Sequence, residues 1–567
     1  MDLYAGAILL SLIVYIAVGN WAGRRVKHLE DYFVAGRRAP TLLIVGTLVA
    51  SIMSTNAFLG ETGFVYEGQA GAYLLWPGIA ATCYVWGVLL FGRYLRRSRA
   101  ITVAEYFGRR FDSRRVQAAA GVTIILGLGG YLLAVTQGAA YLLTQVMPVS
   151  YEQALVISWL TYTGFTLYAG TEGVIITDTM MFLLFTFVAF FALLFLVGEA
   201  GGLETAVYEL ARLPGKDGLM SWTGIVGADS PFGSGLEFAL WNVTLALAWG
   251  LVYAVSPWQS SRYLIARDEH VAIRAACVAA VCLTFLELTL YFGGAVINLW
   301  DTTIDPPHQV MIHAAQELLP PLLGAGLLAG IMAAALSSAS TFLSLVGFSV
   351  SNDLFPHRIR DEQTLLRWSR WTMLGVGLVA LAIAFRAPVD LFWLTYFVGT
   401  LYASAWGPVA LMSVWSRRIT ADAAFWGIVA GFVFNAGPKA LETLGWMALP
   451  FWLDPILLGG TVSLAVILLV SRRGRPGRRE EAYRLRLHRT PEEDRDPDKA
   501  RLTRRAPLLL VAYALGITTL YAVAYLPAYE AATGRVASME LALVLAGPVL
   551  WTVTAIAAWW TVRRSYG

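Results

Sequence analysis

Apolar residues in this chain come in runs of about 20 residues or more, the length that crosses a bilayer core, and not at strand or surface-helix spacing. Read between charged or turn-rich breaks, the runs predict about 15 spans: 3–22, 41–66, 70–96, 115–147, 151–170, 172–198, 236–266, 270–299, 320–350, 366–387, 389–414, 419–441, 450–471, 506–527 and 538–561. The expected fold class is an all-α membrane protein. Basic residues test the count. With the N-terminus outside and the C-terminus cytoplasmic, 37 of the 42 Lys and Arg fall in inner loops, and only Arg212, Lys216, Arg386, Lys439 and Arg535 do not. That positive-inside bias supports both number and orientation, and a prokaryotic inner membrane is the expected location.

Composition narrows the class. The 567 residues are 57% hydrophobic and 14% charged, against about a quarter charged in soluble domains, and no soluble core could bury so many apolar runs. The net charge of +4 then reflects topology and implies no nucleic-acid partner. The basic run from Arg472 to Arg505 reads most simply as a cytoplasmic loop facing anionic lipid. Cys83, Cys277 and Cys282 lie in apolar segments without ligand spacing. Leu3 to Ala22 is long enough to span and is followed by no small-residue cleavage site, so a cleavable signal is not expected. The histidines form no metal-ligand cluster, and neither a nucleophile motif nor a phosphate loop is present. An enzyme, an organic cofactor and an obligatory protein partner are therefore not expected.

Two spans carry internal breaks. The second contains Ala50-Ser-Ile-Met-Ser-Thr-Asn-Ala-Phe-Leu-Gly60, small and polar inside an apolar helix, and the seventh contains Trp249-Gly-Leu-Val-Tyr-Ala-Val-Ser-Pro257. Backbone groups freed at such breaks need a neighbour, water or an ion. Either break alone reads as a kink. Two at corresponding, oppositely oriented positions match a five-plus-five inverted repeat with a binding site between them. The expected layout is a first span and cytoplasmic loop over 1–40, one repeat over 41–198 and a second over 236–415. Four further spans over 416–567 surround a basic loop at 472–505.

The ninth span holds Ala333-Ala-Ala-Leu-Ser-Ser-Ala-Ser-Thr341. Helical geometry puts Ala334, Ser337, Ser338 and Thr341 on one stripe, with Ser337, Ser340 and Thr341 on a slightly rotated face. These hydroxyls either offer hard oxygen ligands to an alkali ion or bond back to carbonyls one turn earlier. Asp178 in the sixth span favours the ion. A membrane carboxylate normally has a partner, no basic residue is assigned to the surrounding spans, and a bound cation or a proton is left to neutralise it. Glu287 in the eighth span is a second buried acid without an evident partner, and it reads as structural or protonated.

Taken together, these segments resemble the sodium:solute symporter family, whose fold is of the leucine-transporter type. Asp31-Tyr-Phe-Val-Ala-Gly-Arg37 is similar to its first inner loop, and Thr102-Val-Ala-Glu-Tyr106 with Arg110-Phe111 to the next. Thr177-Asp178, Ser337-Ser338 and Ser351-Asn-Asp353 are similar to its most telling segments, while Ala169-Gly170 stands where a Gly-Gly pair is usual. The resemblance implies a sodium site at Ala50, Met53, Ala334, Ser337 and Ser338, and a second at Asp178, Ser337, Ser340 and Thr341. It implies a sodium-coupled symporter for a small organic solute.

The pocket would expose Ser54, Thr55, Asn56 and Gly60 from one break and Trp249, Tyr253 and Pro257, spaced four apart, from the other. That Trp-Tyr-Pro spacing resembles the proline-transporting branch, in which the three residues contact substrate, although an aspartate of that branch is Ile52 here. The aromatic pair also reads as ordinary packing. The sugar-carrying branch has polar groups where this chain has Ile52, Ala57 and Leu75, and a hexose hydroxyl left unpaired costs about 1–3 kcal/mol. An amino acid, a monocarboxylate or a pantothenate-like acid is the expected cargo. The competing classes are a proton-coupled transporter using Asp178 and Glu287, a sodium-coupled sugar symporter and a transporter-like sensor.

Overall fold

The computed structural model describes residues 3–566 apart from 228–229, 231, 356–360, 387–390, 448, 451–452 and 536–537. Among the described residues every named element is helical, and the one β-bridge joins Ala39 to Ala266. Eleven helices are long and apolar enough to cross a membrane, twelve if a bent pair is one span. That is fewer than the fifteen expected, for identifiable reasons. The helices Glu362–Ala384 and Ala421–Thr443 stand where two further spans are expected. Arg367 and Arg370 in the first, and small and polar residues in the second, dilute their apolar character. The expected spans 151–170 and 172–198 are counted as one element, Tyr151–Glu199, although they meet at a kink at Gly170, where the sequence divides them.

The transport core begins with α1 (Leu3–Gly23). The second expected span is the bent pair: α2 (Thr41–Ile52) and α3 (Asn56–Tyr73) meet at 57°, because Met53 leaves the helical region at φ −72°, ψ 115°. Next come α4 (Arg114–Val146) and α5 (Tyr151–Glu199). At 49 residues α5 would run about 74 Å if straight, more than twice an apolar core of about 30 Å. It turns at Gly170, whose φ of 54° and ψ of −141° suit glycine alone. Ala169 before it is tolerated because the left-handed turn falls on Gly170.

The second broken span comprises α6 (Gly235–Val255) and α7 (Pro257–Ile265). Ser256 between them is extended (φ −59°, ψ 151°) and Pro257 opens the new helix, a position that suits its fixed φ and missing N–H. Two long helices complete the core, α8 (Glu269–Val296) and α9 (Pro321–Phe348). The hydroxyl-bearing α9 is the most buried of the apolar spans and packs against α1, α2, α4 and α5.

The arginine-rich loops meet on one face. Arg37 donates to the carbonyls of Leu264, Arg99 and Ala100 at 3.0–3.1 Å, and Arg96 to those of Ala266 and Arg267 at 2.7 Å. The basic segment after Arg472 is no loose strand on lipid. Its helices Arg478–Leu487 and Pro497–Arg505 dock on the same face. There Arg97 bonds the Leu487 carbonyl at 2.8 Å, Arg110 that of Glu480 at 3.2 Å, and Arg99 pairs with Glu493 at 2.5 Å. Main-chain carbonyls and the Glu493 carboxylate of the segment receive these arginines.

Candidate functional site

The residues expected to form the first ion site converge. Ser337 Oγ on α9 donates to the Ala50 carbonyl at 2.9 Å and to that of Ala334 at 3.0 Å, and Ser338 Oγ donates to the Met53 carbonyl at 3.1 Å. Extension at Met53 turns its carbonyl out of the helix ladder and toward α9. Three carbonyls and two hydroxyls thus share one buried spot at the first break, a set of hard, neutral oxygens.

The second set gathers around Asp178, which is fully buried. Thr47 Oγ1 donates to Asp178 Oδ2 at 2.6 Å. The two helices come this close because Gly46 on α2 presents no side chain: a Cβ there would lie 2.4–2.8 Å from Thr179. Ser340 Oγ turns to the Ser337 carbonyl at 2.9 Å. The premise that Asp178 lacks a basic neighbour is overturned. Arg262, from α7, pairs with Asp178 Oδ2 at 3.6 Å and donates to Thr341 Oγ1 at 2.5 Å. Arg262 is 3% exposed. It counts with the inner loop by sequence, but the break at Ser256 leaves α7 only nine residues long, and its side chain turns back into the bundle. Asp178 Oδ1 remains buried without a hydrogen bond, an acceptor suited to a small cation.

Between the breaks lies a narrow cavity of about 10 Å³, roughly the room one water needs. Of the residues expected to meet the solute, Ser54, Asn56, Trp249 and Tyr253 line it, as do Ile52 and Ala57. Thr55, Gly60 and Pro257 do not. Thr55 packs where Gly138 of α4 leaves room, and Gly60 lies against Asn56. Pro257 lines a separate cleft with Phe33, Thr102, Arg262 and Asp353. The four-residue spacing fails here because extended Ser256 resets the helical phase.

Two acids face the same cavity. Glu287 accepts from Tyr253 Oη at 3.1 Å, which supplies the partner the sequence did not reveal. Glu61, on α3, is a lining residue that sequence reasoning missed. An acid inside an apolar span was the available signal, the same one that singles out Asp178. Tyr253 also stacks on Tyr84, with centroids 4.9 Å apart.

Below this region the loop motifs act as fasteners. Asp353 accepts from Thr102 Oγ1 at 2.7 Å, Gln117 Nε2 at 3.0 Å and Ser349 Oγ at 2.9 Å, while Phe33 stacks on Phe348 at 4.2 Å. At the other end Tyr66 donates to the Asp301 carbonyl at 2.8 Å, and Lys216 bonds the Tyr66 carbonyl at 2.7 Å.

Long apolar helices, two of them interrupted at facing positions around a buried polar cavity, define a secondary membrane transporter. The sodium:solute symporter family model matches residues 32–431, more than half of the chain, and the protein belongs to that family. It is 26% identical over 490 residues to the sodium/proline symporter of Escherichia coli K12, covering 82% of this chain and 93% of the relative. To the sodium/pantothenate symporter of the same organism it is 25% identical over 476 residues, covering 82% and 95%. A Na+-coupled sialic acid symporter in a substrate-bound outward-open state has the same fold, with a TM-score of 0.72 at 16% identity, covering 84% of this chain and 98% of that one. The leucine-transporter-type fold, the role of symporter rather than enzyme, and sodium as coupling ion follow from this membership.

Proposed function

We propose that this symporter couples two inward-moving sodium ions to uptake of a small organic solute, an amino acid or monocarboxylate, by alternating access in a prokaryotic inner membrane. One ion takes the carbonyls of Ala50, Met53 and Ala334 with the hydroxyls of Ser337 and Ser338. The other takes Asp178, Ser337, Ser340 and Thr341. The solute sits between the breaks, and the two repeats over 41–198 and 236–415 move against each other around it. The observation that carries this reading is the meeting of the α2 break with the hydroxyls of α9. The N-outside orientation is supported by the arginine-rich loops sharing one face.

Ion number sets what the carrier can achieve. At about 100 mV an inward charge releases about 2.3 kcal/mol, and a tenfold sodium gradient adds about 1.4. One ion then sustains a gradient of a neutral solute on the order of several hundredfold, and two sustain on the order of a hundred-thousandfold. Arg262 favours a second reading, in which the guanidinium is the standing counter-charge of Asp178 and one ion is coupled. Proteoliposome uptake decides between them. Charge-to-solute ratios under a sodium gradient should give two ions per solute, and Ser337→Ala should weaken apparent sodium affinity at least tenfold. Uptake driven by protons in sodium-free buffer would sink both readings.

A further inference from the structure

The cavity between the breaks holds two carboxylates and no base. Glu61 and Glu287 line it and are only 6% and 4% exposed. Glu61 accepts from Asn56 Nδ2 at 3.0 Å through Oε1 and from Tyr291 Oη through Oε2. Glu287 Oε1 is met by Tyr253, but Glu287 Oε2 is buried without a hydrogen bond, as is Asn56 Oδ1. None of the lining residues is Lys, Arg or His.

Carboxylates kept from water are costly unless paired, and two at close quarters repel each other. At Asp178 the protein supplies the opposite charge itself, from Arg262. Here it supplies none, so the pair either holds protons or takes its counter-charge from what the cavity binds. We propose that the cavity takes the ammonium group of an amine-bearing solute, an amino acid or small amine, between Glu61 and Glu287. This inference rests on the symporter reading above and names its substrate class. A primary ammonium has three N–H donors and a secondary one, as in proline, has two; neither has an acceptor. Glu287 Oε2 and Asn56 Oδ1 are two open acceptors, and Glu61 supplies further lone pairs. Trp76, Trp249 and Tyr131 also line the cavity, and aromatic rings attract a cation that reaches their faces. A monocarboxylate without an amine would meet two like charges and is rejected.

The test uses the full chain in proteoliposomes under an inward sodium gradient. L-proline, L-alanine and putrescine are offered beside propionate, pantothenate and the N-acetyl forms of the same amines (N,N′-diacetyl for putrescine), which lose every ammonium. At least one amine should accumulate, its N-acetyl form should neither enter nor compete, and the amine-free anions should stay out. Glu287→Gln should raise KM for the amine at least tenfold, and Glu287→Asp should recover part of that loss. The N-acetyl comparison needs no variant, so misfolding of Glu287→Gln cannot mask the answer. Sodium-driven uptake of propionate or pantothenate with the amines ignored overturns the ammonium site and leaves symport standing. So does equal uptake of an amine and its N-acetyl form, or an unchanged KM in folded Glu287→Gln. Amine uptake indifferent to sodium overturns symport and leaves the ammonium site standing.

Discussion

Asp178 on α5 and Glu287 on α8 lie on helices that pack together and flank the same broken spans, and both are buried. Their surroundings are opposite. Asp178 has a permanent cation, Arg262, and a short bond from Thr47. Glu287 has one tyrosine hydroxyl and a second acid across the cavity. Burial alone therefore does not fix the part an intramembrane acid plays. A carboxylate with a built-in partner ties helices together, here α5 to α2, α7 and α9, and has only its second oxygen, Oδ1, to offer an ion. A carboxylate without one leaves a charge for a guest to satisfy.

Breaking the built-in pair gives the largest effect. Arg262→Gln strands Asp178 and should cost about 3–5 kcal/mol, seen as a lowered melting temperature in detergent. The double variant Arg262→Gln with Asp178→Asn should regain most of that loss. If the single variant melts like the parent, the pair contributes nothing and the contrast between the two acids collapses.

A smaller effect separates the acids by their hydroxyl partners. Thr47→Val removes a bond to a charged group and should cost about 1.5–3 kcal/mol. Tyr253→Phe frees a second oxygen of Glu287, and its chief effect should be on solute KM, with a smaller loss of stability. Comparing thermal melts with transport KM for the two variants tests the contrast: equal patterns would erase it.

A further effect lies outside the membrane. Asp494 in the docked segment 478–505 is buried, and burial together with the neighbouring Glu269 carboxylate pushes its pKa up to about 7. Its unfolded value is near 4, so the folded form binds the extra proton in between. Stability of the docked segment is therefore greatest below about pH 4 and declines as pH rises toward 7. Hydrogen exchange over 478–505, corrected for intrinsic rate, should quicken between pH 5.5 and 7.5. Asp494→Asn should flatten that dependence.

Much of this architecture can be read from the chain, because apolar length, a Pro-Gly break and a hydroxyl run are local signals. Ala50, Met53, Ala334, Ser337 and Ser338 come together as expected, since each position follows from its own helix. What fails is whatever depends on phase across a break. Trp249 and Tyr253 reach the cavity, whereas Pro257, four residues on, does not, because Ser256 is extended. Arg262 is misplaced for the same reason: a nine-residue half-helix carries a residue that counts as a loop base back beside Asp178. Glu61 follows the first break and escapes notice amid the small residues that mark it. The span count depends on Gly170, where one element changes direction without a gap in hydropathy.

The fastenings on the arginine-rich face have a consequence for inheritance. Arg37, Arg96 and Arg110 end on main-chain carbonyls, those of Leu264, Arg99, Ala100, Ala266, Arg267, Ser413 and Glu480. Every amino acid brings a carbonyl, so the receiving positions can drift while the bond survives. The donors cannot, because lysine lacks the planar fork that reaches two or three acceptors at once. Random mutagenesis of this face should therefore score as lopsided, with three intolerant codons holding seven that are free to vary on this account.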